Sequence, residues 1–375
     1  MTATKKDPIL VVIQLTGGND YLNTLIPHGD SLYYDNRPNV GISPDDVLRI
    51  DDHLGFNPAM APIKTLYDQG NVAVINGIGY PNPNRSHFRS MDIWHTAEPD
   101  KVGNDGWLGR VIRDLDPNSE NVLTGVNFGR GLPRALAMTG VPVASVAVLE
   151  TYGVLTGITE PAERDQALDV FARMYAPALG TGAVMDYLGQ TGLDALKGAD
   201  ILKKAPEAYR SSIEYDASPI GQNLQGIAKV LLADIGTRVF YTQHGGYDTH
   251  ANEGPAHPKL WSELSQSISD FYADLKEHDS SDNVLMFVFS EFGRRVRDNG
   301  SGTDHGSGGL AFAIGDAVQG GMYGEYPSLK EGDLLEGDLN FGVDFRGVYG
   351  TMVERWLGLD AKPVVGGTFE QLAFV

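Results

Sequence analysis

Two imidazoles and a carboxylate lie within seven consecutive positions of the chain, at His244, Asp248 and His250. They follow a short apolar run, residues 238–241, that has the length and composition of a buried strand. Imidazole and carboxylate groups are the ligands that a hard or borderline divalent cation selects in proteins. The spacing therefore predicts that at least two of these three side chains face a metal site.

Polar clusters that contain a carboxylate also lie beside three other strand-like runs. The clusters are residues 16–20, 290–295 and 303–306, and the runs are residues 9–15, 284–289 and 310–314. In open α/β sheets, ligands bind outside the carboxyl ends of the strands. We therefore expect Asp20, Glu291 and His305 to converge with Asp248 on one rim of a sheet. Two structural alternatives stay open: Asp20 as a turn or capping residue, and Glu291 as an ion-pair partner of a neighbouring arginine.

A fifth polar segment, residues 81–89, follows the strand-like run 72–75 and contains Arg85, Ser86 and Arg89. Its prolines favour an extended backbone, and Ser86 stands where a helix would begin. One interpretation is an ordinary helix cap. The other is a hydroxyl at a helix N-terminus, where free N–H groups favour an anion. In that case Arg85 and Arg89 would add planar donors for a tetrahedral oxyanion.

The composition excludes several classes of protein and of site. The 375 residues include no cysteine, so disulfides, thiolate metal ligands and a cysteine nucleophile are excluded. The formal charge of −20 argues against a nucleic acid or an anionic membrane as partner. The chain has no apolar stretch of membrane-spanning length and no signal-like start, so we expect a cytoplasmic protein. The glycine fingerprint of a dinucleotide site is missing after the first strand.

The apolar runs alternate with segments of helical period, which predicts an α/β fold with a mostly parallel central sheet flanked by helices. Helical stripes fall at residues 220–231, 260–275 and 345–356. Residues 150–235 contain few strand signals and predict a helical insertion. Since no linker or repeat interrupts the chain, we expect one domain over residues 1–375.

The motifs resemble those of the DUF1501 family, which is grouped with the alkaline-phosphatase-like and sulfatase-like enzymes. The resemblance rests on Gly-Gly-Asn-Asp at 17–20, the run at 86–94, Gly-Gly-Tyr-Asp-Thr-His at 245–250, Ser-Glu-Phe-Gly-Arg-Arg at 290–295 and Thr-Asp-His-Gly at 303–306. It extends over nearly the whole chain. It implies an alkaline-phosphatase-like fold and a metal-dependent site for phosphate or sulfate esters. Many members of the family carry an export signal.

The resemblance also implies roles for individual residues. By motif order, Asp20, Asp248, His250 and His305 correspond to metal ligands and Ser86 to the nucleophile. Glu291 takes the place of a carboxylate that usually precedes a histidine, but the next residue here is phenylalanine, which cannot bind metal. Asp248 and His250 are also closer in sequence than is usual. A single ion, or a degenerate site, therefore becomes an alternative to two ions.

These observations favour a metal-dependent hydrolase of phosphate or sulfate esters that acts on a small anionic substrate. The cofactor would be one or two divalent ions, Zn²⁺, Mn²⁺, Mg²⁺ or Ca²⁺. In this hypothesis Arg85, Arg89 or Arg294 stabilises the transition state, and Glu291 with Asp20 completes a second ion site or acts as acid and base. Two alternatives stay open: a catalytically silent protein that binds an anion, a carbohydrate or a partner, and a hydrolase with a Ser-His-Asp triad and no metal.

Overall fold

The computed structural model describes residues 6–152, 158, 160–175, 182, 189–190, 193–194, 197–199, 201–202 and 205–375. The described strands are β1 (Ile9–Thr16), β2 (Leu25–Ile26), β3 (Leu48–Arg49), β4 (Gly55–Phe56), β5 (Val72–Gly79), β6 (Gly125–Phe128), β7 (Ala144–Val146), β8 (Val239–Gly245), β9 (Val284–Ser290), β10 (Gly309–Ile314), β11 (Gly321–Tyr323) and β12 (Val343–Asp344). The described helices are α1 (Ser31–Asn36), α2 (Ala61–Asp68), α3 (His87–Thr96), α4 (Trp107–Leu115), α5 (Pro161–Tyr175), α6 (Ala205–Ala208), α7 (Pro219–Leu232), α8 (Glu253–Glu277), α9 (Phe345–Thr351) and α10 (Ala361–Val365).

In the described part of the chain, the centre of the fold is a nine-stranded mixed sheet with the strand order β11-β5-β10-β9-β1-β8-β6-β7, in which β12 also pairs with β5. Within the described part of this sheet, β10 pairs antiparallel with β5 and β9, and the other pairings are parallel. The predicted α/β class with a mostly parallel central sheet flanked by helices is confirmed. A separate three-stranded sheet has the order β2-β4-β3.

The central strands are apolar along their length because helices cover both faces of the sheet. In β1, Val11 and Ile13 pack into one buried cluster, and Leu10 and Val12 pack into the other. The first cluster contains apolar residues of α2, α7 and α8, and the second contains those of α3, α4, α9 and α10. All seven residues of β9 are buried. These two clusters hold the ends of β1, β8 and β9 in fixed positions, from which the polar loops project.

The five strand-like runs of the sequence are all strands, each longer than its apolar run by between one and four residues. Strands of two to four residues, such as β6 and β12, carry too short a pattern to be predicted. The proposed insertion at residues 150–235 lies partly outside the described residues, and its described part contains α5, α6 and α7. The insertion and the single domain stay predictions. Within the described residues, no helix is both long and apolar enough to cross a bilayer.

A fully buried ionic network lies where the first loop, α1 and the start of α8 meet. Arg37 donates to both carboxylate oxygens of Asp20, at 2.5 and 3.0 Å, and its Nη1 is 3.9 Å from Glu253 Oε1. Asn23 Nδ2 and Thr303 Oγ1 donate to the two oxygens of Glu253, at 2.9 and 2.7 Å. Burial, together with the neighbouring charge of Asp20, raises the pKa of Glu253 to about 9. Glu253 is therefore a neutral carboxylic acid at neutral pH, and Asp20 carries the charge that balances Arg37.

This network predicts a pH dependence of stability. Between the ordinary carboxyl range and pH 9, the folded chain holds a proton on Glu253 that the unfolded chain has released. The free energy of unfolding should therefore fall as the pH rises through that window, by about 1.4 kcal/mol per pH unit. Glu253→Gln keeps a donor and an acceptor but cannot titrate, so this slope should disappear. Urea unfolding of both proteins between about pH 5.5 and about pH 8.5 measures it. Exposed Glu331→Gln should retain the wild-type slope, and equal slopes in wild type and Glu253→Gln would contradict the assignment.

Candidate metal centre

Polar groups from the segments that follow β1, β8 and β9 and from the segment that precedes β10 meet at one rim of the central sheet. β1, β8 and β9 run in the same direction, so the residues that follow them leave the sheet at the same edge. β10 runs antiparallel to β9, and therefore the residues that precede β10 lie at this edge as well. An isolated bridge between Arg294 and His305 joins the segment after β9 to the segment before β10. The strand directions alone thus bring Asp248, Glu291 and His305 to a common edge.

One carboxylate oxygen, Oδ1 of Asp248, is the centre of the cluster. Arg294 Nη2 donates to it at 2.7 Å, and His250 Nε2 and His305 Nε2 each lie 3.1 Å from it. His87 Nε2, at the start of α3, lies 3.5 Å away. Burial would raise the pKa of Asp248, but the hydrogen bond and the positive charge of Arg294 hold it at about 2. The centre therefore combines an ionised carboxylate with three imidazoles.

The three imidazoles share one orientation, in which Nδ1 lies against an acceptor and Nε2 points to Asp248. The Nδ1 contacts are His87 with Glu291 Oε1 at 2.9 Å, His250 with Asp304 Oδ1 at 2.9 Å, and His305 with the carbonyl oxygen of Arg85 at 2.8 Å. Because these partners are acceptors, each Nδ1 is assigned the proton, and the lone pair of each neutral ring lies on Nε2. Nitrogen lone pairs therefore converge on a carboxylate oxygen.

This convergence requires a positive charge. His250 Nε2 and His305 Nε2 are only 2.9 Å apart, a distance at which two lone pairs repel each other unless a proton or a cation lies between them. His87 Nε2 is buried and has no hydrogen-bond partner among the described residues. The hydrogen bond from His87 to Glu291 also raises the pKa of His87, because it stabilises the charged ring. The cluster therefore attracts a cation.

The donor set fits a divalent metal ion. Ligand atoms of His87, Asp248 and His305 all lie within 4.8 Å of one another, and His250 Nε2 adjoins two of them. The separations of 2.9, 3.1 and 3.5 Å are close to the edge of a tetrahedron of zinc ligands, about 3.3 Å. Acceptors on the second ring nitrogen are the usual support of metal-binding histidines. Three imidazoles and one carboxylate suit zinc or manganese better than calcium.

Arg294 holds together the loops that carry the cluster. Its side chain is fully buried, and it donates to the carbonyl oxygens of Gly17, Gly18, Tyr247 and Thr303 as well as to Asp248. The acceptors belong to the loops that follow β1 and β8 and to the segment that precedes β10. A planar guanidinium can reach acceptors in several directions at once, which an ammonium cannot do. Arg294 therefore acts on Asp248 both directly and through the backbone around it.

Gly17 and Gly18 allow the loop that follows β1 to pass close to the cluster. Gly17 has a φ of +121°, and a Cβ atom there would lie 2.3 Å from the backbone nitrogen of Asp248. Gly18 has a φ of +78°, and a Cβ atom there would lie 2.3 Å from the ring of Phe292. Gly17 N also donates to Glu291 Oε1 at 2.9 Å. Glycine is required because both the backbone angles and the close approach exclude a side chain.

The structure brings Asp248, His250 and His305 together, but it separates other predicted ligands from them. Asp20 directs both carboxylate oxygens to Arg37 in the buried network and away from the cluster. Glu291 is fully buried and accepts from Nδ1 of His87, so it supports a ligand of the cluster and is not itself placed as a ligand. A ligand role for Asp20 does not fit these contacts, because both oxygens are already used by a guanidinium.

The arginines proposed to bind an oxyanion are engaged within the protein. Arg85 Nε donates to Asp338 at 2.8 Å, and its carbonyl oxygen holds His305. Arg89 forms an ion pair with Asp92 and donates to the carbonyl oxygens of Pro99 and Lys101. Arg294 donates to five acceptors of the protein. Arg85 and Arg89 therefore already use part of their donors within the protein, and the side chain of Arg294 has no exposed surface that an anion could contact.

Ser86 is exposed and occupies the N-cap position of α3, next to His87. Within the described chain its hydroxyl makes no capping hydrogen bond. The position agrees with the predicted helix start, while the hydroxyl stays available to a ligand. His244, the third member of the sequence cluster, is buried and contacts Tyr247 Oη at 3.0 Å, so it lies apart from Asp248.

The residue that sequence reasoning missed is His87. His87 lies between a candidate hydroxyl and a candidate guanidinium, in a segment whose residue types favour an anion. An imidazole at the first helical position after a predicted strand was the available signal. Phe292, at the position where the family pattern led us to expect an imidazole, packs its ring against His87 and His305, with centroids 4.9 Å apart in both cases. The third imidazole of the cluster therefore comes from α3.

Replacement of Arg294 by lysine tests its role as the link between the loops. Lysine keeps the charge but cannot reach acceptors in several loops, so buried carbonyl groups lose their donors. We expect Arg294→Lys to lower the free energy of unfolding by about 2–4 kcal/mol, measured by urea denaturation. Arg113→Lys, a half-exposed residue that pairs with its neighbour Asp114, should change it by less than about 0.5 kcal/mol. Equal small effects of the two variants would show that Arg294 is dispensable.

Comparison with known proteins adds a family and distant structural likenesses. The chain resembles the PsFucS1 sulfatase from Pseudoalteromonas sp. at 13% identity and a TM-score of 0.41, covering 98% of this chain and 71% of that one. It resembles the C-terminal periplasmic domain of EcEptC from Escherichia coli, a complex with Zn, at 9% identity and a TM-score of 0.37, covering 83% and 74%. A protein in the alkaline phosphatase superfamily from Vibrio parahaemolyticus matches at 9% identity and a TM-score of 0.33, covering 85% and 63%.

No curated protein matches the sequence. The family described as "Protein of unknown function (DUF1501)" matches residues 78–367, which is more than half of the chain and includes α3, Asp248, His250 and His305. This match agrees with the motifs at residues 86–94, 245–250, 290–295 and 303–306. The chain therefore belongs to the DUF1501 family.

Proposed function

We propose that His87, Asp248, His250 and His305 bind one divalent cation, and that the protein hydrolyses a phosphate or sulfate ester at this centre. The observation that supports the proposal is the shared orientation of three imidazoles, each with Nδ1 on an acceptor and Nε2 directed to Asp248 Oδ1. Metal-binding histidines usually donate from one ring nitrogen to an acceptor, which directs the lone pair of the other ring nitrogen to the ion.

The chain supplies the groups that ester hydrolysis needs. A divalent cation at this centre would polarise the ester oxygen and neutralise the developing charge. The exposed Ser86 hydroxyl, beside His87, is the candidate nucleophile, and a water molecule is the alternative. In either case the attacking oxygen forms a bond to phosphorus or sulfur, the bond to the leaving alcohol breaks, and a proton passes to that alcohol. If Ser86 attacks, a water molecule then attacks the phosphorus or sulfur atom, the bond to the Ser86 oxygen breaks, and a proton returns to that oxygen.

The surrounding residues keep the ligands in place. Glu291 accepts from Gly17 N, Ser290 Oγ and His87 Nδ1, so the ring of His87 is held by a carboxylate with three donors. Asp304 holds His250, and its pKa is lowered chiefly by that hydrogen bond. Removal of such supporting groups commonly weakens metal binding by about 10–100-fold. The centre thus has ligands and supports in the arrangement that a rigid metal site needs.

Metal binding is the first expected result. Isothermal titration of the chelator-treated protein with Zn²⁺ or Mn²⁺ should give one site per chain. His87→Ala, His305→Ala and Asp248→Asn should each weaken it by at least about 100-fold, since each removes a ligand. Exposed His53→Ala is the matched control and should bind like the wild type. Unchanged affinity in all three cluster variants would remove these residues from the site.

Hydrolysis is the second expected result, and replacement of Ser86 distinguishes attack by the serine hydroxyl from attack by water. With saturating metal, the protein should release nitrophenol from an aryl phosphate or sulfate ester, and the chelator should abolish this activity. If Ser86 attacks, Ser86→Ala should lower kcat by at least about 1000-fold without changing metal affinity. If water attacks, Ser86→Ala and the exposed control Ser328→Ala should behave alike.

The result also separates the competing functions. Stoichiometric metal without hydrolysis of any aryl ester would favour the silent binding protein. Full activity in chelator would favour a metal-free serine hydrolase. Activity that requires both the metal and the cluster residues supports the proposal.

A further inference from the structure

The formal charges of the residues around the cluster sum to two negative charges, which a divalent ion would cancel. Asp248 accepts from Arg294, Asp304 from His250, and Glu291 from His87 and the backbone of Gly17, so the three carboxylates carry three negative charges. Arg294, with one positive charge, is the one guanidinium among the described residues within ion-pair distance of these carboxylates, 2.7 Å from Asp248. With neutral imidazoles the net charge is therefore two negative charges. A divalent cation brings it to zero.

The neighbouring guanidinium groups are not counted in this net charge because each is paired with a carboxylate outside the cluster. Arg85 pairs with Asp338 at 2.8 Å and Arg89 with Asp92 at 2.5 Å. Arg295, beside Arg294 in the chain, has its Nε 3.7 Å from the other oxygen of Asp338. Arg85 and Arg295 share Asp338, Arg85 Nη2 also lies 3.5 Å from Glu336, and Arg89 shares Asp92 with Arg134, so each of these guanidinium groups is paired with a carboxylate outside the cluster.

Two carboxylates stand open at the rim. The side chain of Asp248 is 48% exposed and that of Asp304 is 54% exposed, so an incoming anion meets negative groups as well as the cation. Sites for dianionic phosphate groups usually add free arginine forks to the metal, because two negative charges need more than one partner. Since the loaded centre is neutral by this count, a bound monoanion leaves it with one net negative charge and a bound dianion leaves it with two.

We propose that the substrate of this centre is a singly charged tetrahedral ester, a phosphate diester or a sulfate monoester, and that a dianionic phosphate monoester is disfavoured. The proposal rests on the function proposed above and specifies its substrate class. The first negative charge can lie against the cation, whereas a second negative charge about 6 Å from an open carboxylate meets a repulsion of about 3 kcal/mol from that carboxylate at an effective dielectric constant of about 20. This repulsion acts on binding as well as on hydrolysis.

Binding of two inert anions to the zinc-loaded protein tests the proposal without catalysis. Methyl methylphosphonate carries one charge, and methylphosphonate in alkaline buffer carries two. Calorimetry should show that the monoanion binds at least about tenfold more tightly. Asp304→Asn removes one negative charge while its amide oxygen can still accept from His250, so it should reduce this preference by about tenfold. Asp234→Asn makes the same charge change in the exposed loop before the opposite end of β8 and should leave the preference as in the wild type.

Hydrolysis of matched aryl esters provides the second measurement. The ratio of kcat/KM for methyl nitrophenyl phosphate, or for nitrophenyl sulfate, to that for nitrophenyl phosphate should exceed its uncatalysed value, and Asp304→Asn should lower it. Tighter or equal binding of the dianion to the wild type, or an Asp304→Asn variant with an unchanged preference, would overturn the charge assignment while leaving a metal-dependent hydrolase in place. Failure to bind or cleave any of these anions would overturn the proposed function as well.

Discussion

A single buried guanidinium organises the candidate centre. Arg294 has no exposed surface, and burial of a charge is tolerated only when its donors are paired. Its acceptors come from three separate segments, which follow β1, follow β8 and precede β10. If these segments did not meet, the guanidinium would lack acceptors, and if Arg294 were absent, four carbonyl groups would lose a donor. The loops and the charge therefore stabilise each other, and Asp248 is held between them.

A second buried network supports the same loops from the side. Arg37 Nε and Nη2 donate to the carbonyl oxygens of Val296 and Arg295, and Glu253 accepts from Thr303. The carbonyl groups of Arg295 and Val296 and the hydroxyl of Thr303 all belong to the loop between β9 and β10, which also carries His305. The Asp20–Arg37 pair is therefore structural, although its aspartate lies in the motif that first suggested a metal ligand. Its effect on the cluster acts through the backbone.

The cluster itself is an arrangement that the protein alone leaves electrostatically unsatisfied. Three nitrogen lone pairs face one carboxylate oxygen, and the supports on Nδ1 prevent the rings from turning away. The stability of the scaffold is what maintains this arrangement, since the two apolar clusters fix the strand ends. A cation relieves the repulsion, and so the same geometry that disfavours the empty cluster favours the loaded one.

The sequence by itself determined the elements with strong periodicity and the chemistry at three strand ends. The apolar runs of β1 and β9 could be recognised because strands buried on both faces contain little else. Asp248, His250 and His305 could be proposed because ligand-type residues cluster beside such runs, and the motifs at 245–250 and 303–306 indicated the family.

The tertiary structure decided the rest. Only the antiparallel direction of β10 brings His305, which precedes its strand, to the rim where the other strands end. Only contacts between segments that are distant in sequence pair Asp20 with Arg37 and bring His87 next to Asp248. A side chain's partner is set by long-range packing, which local sequence patterns do not encode.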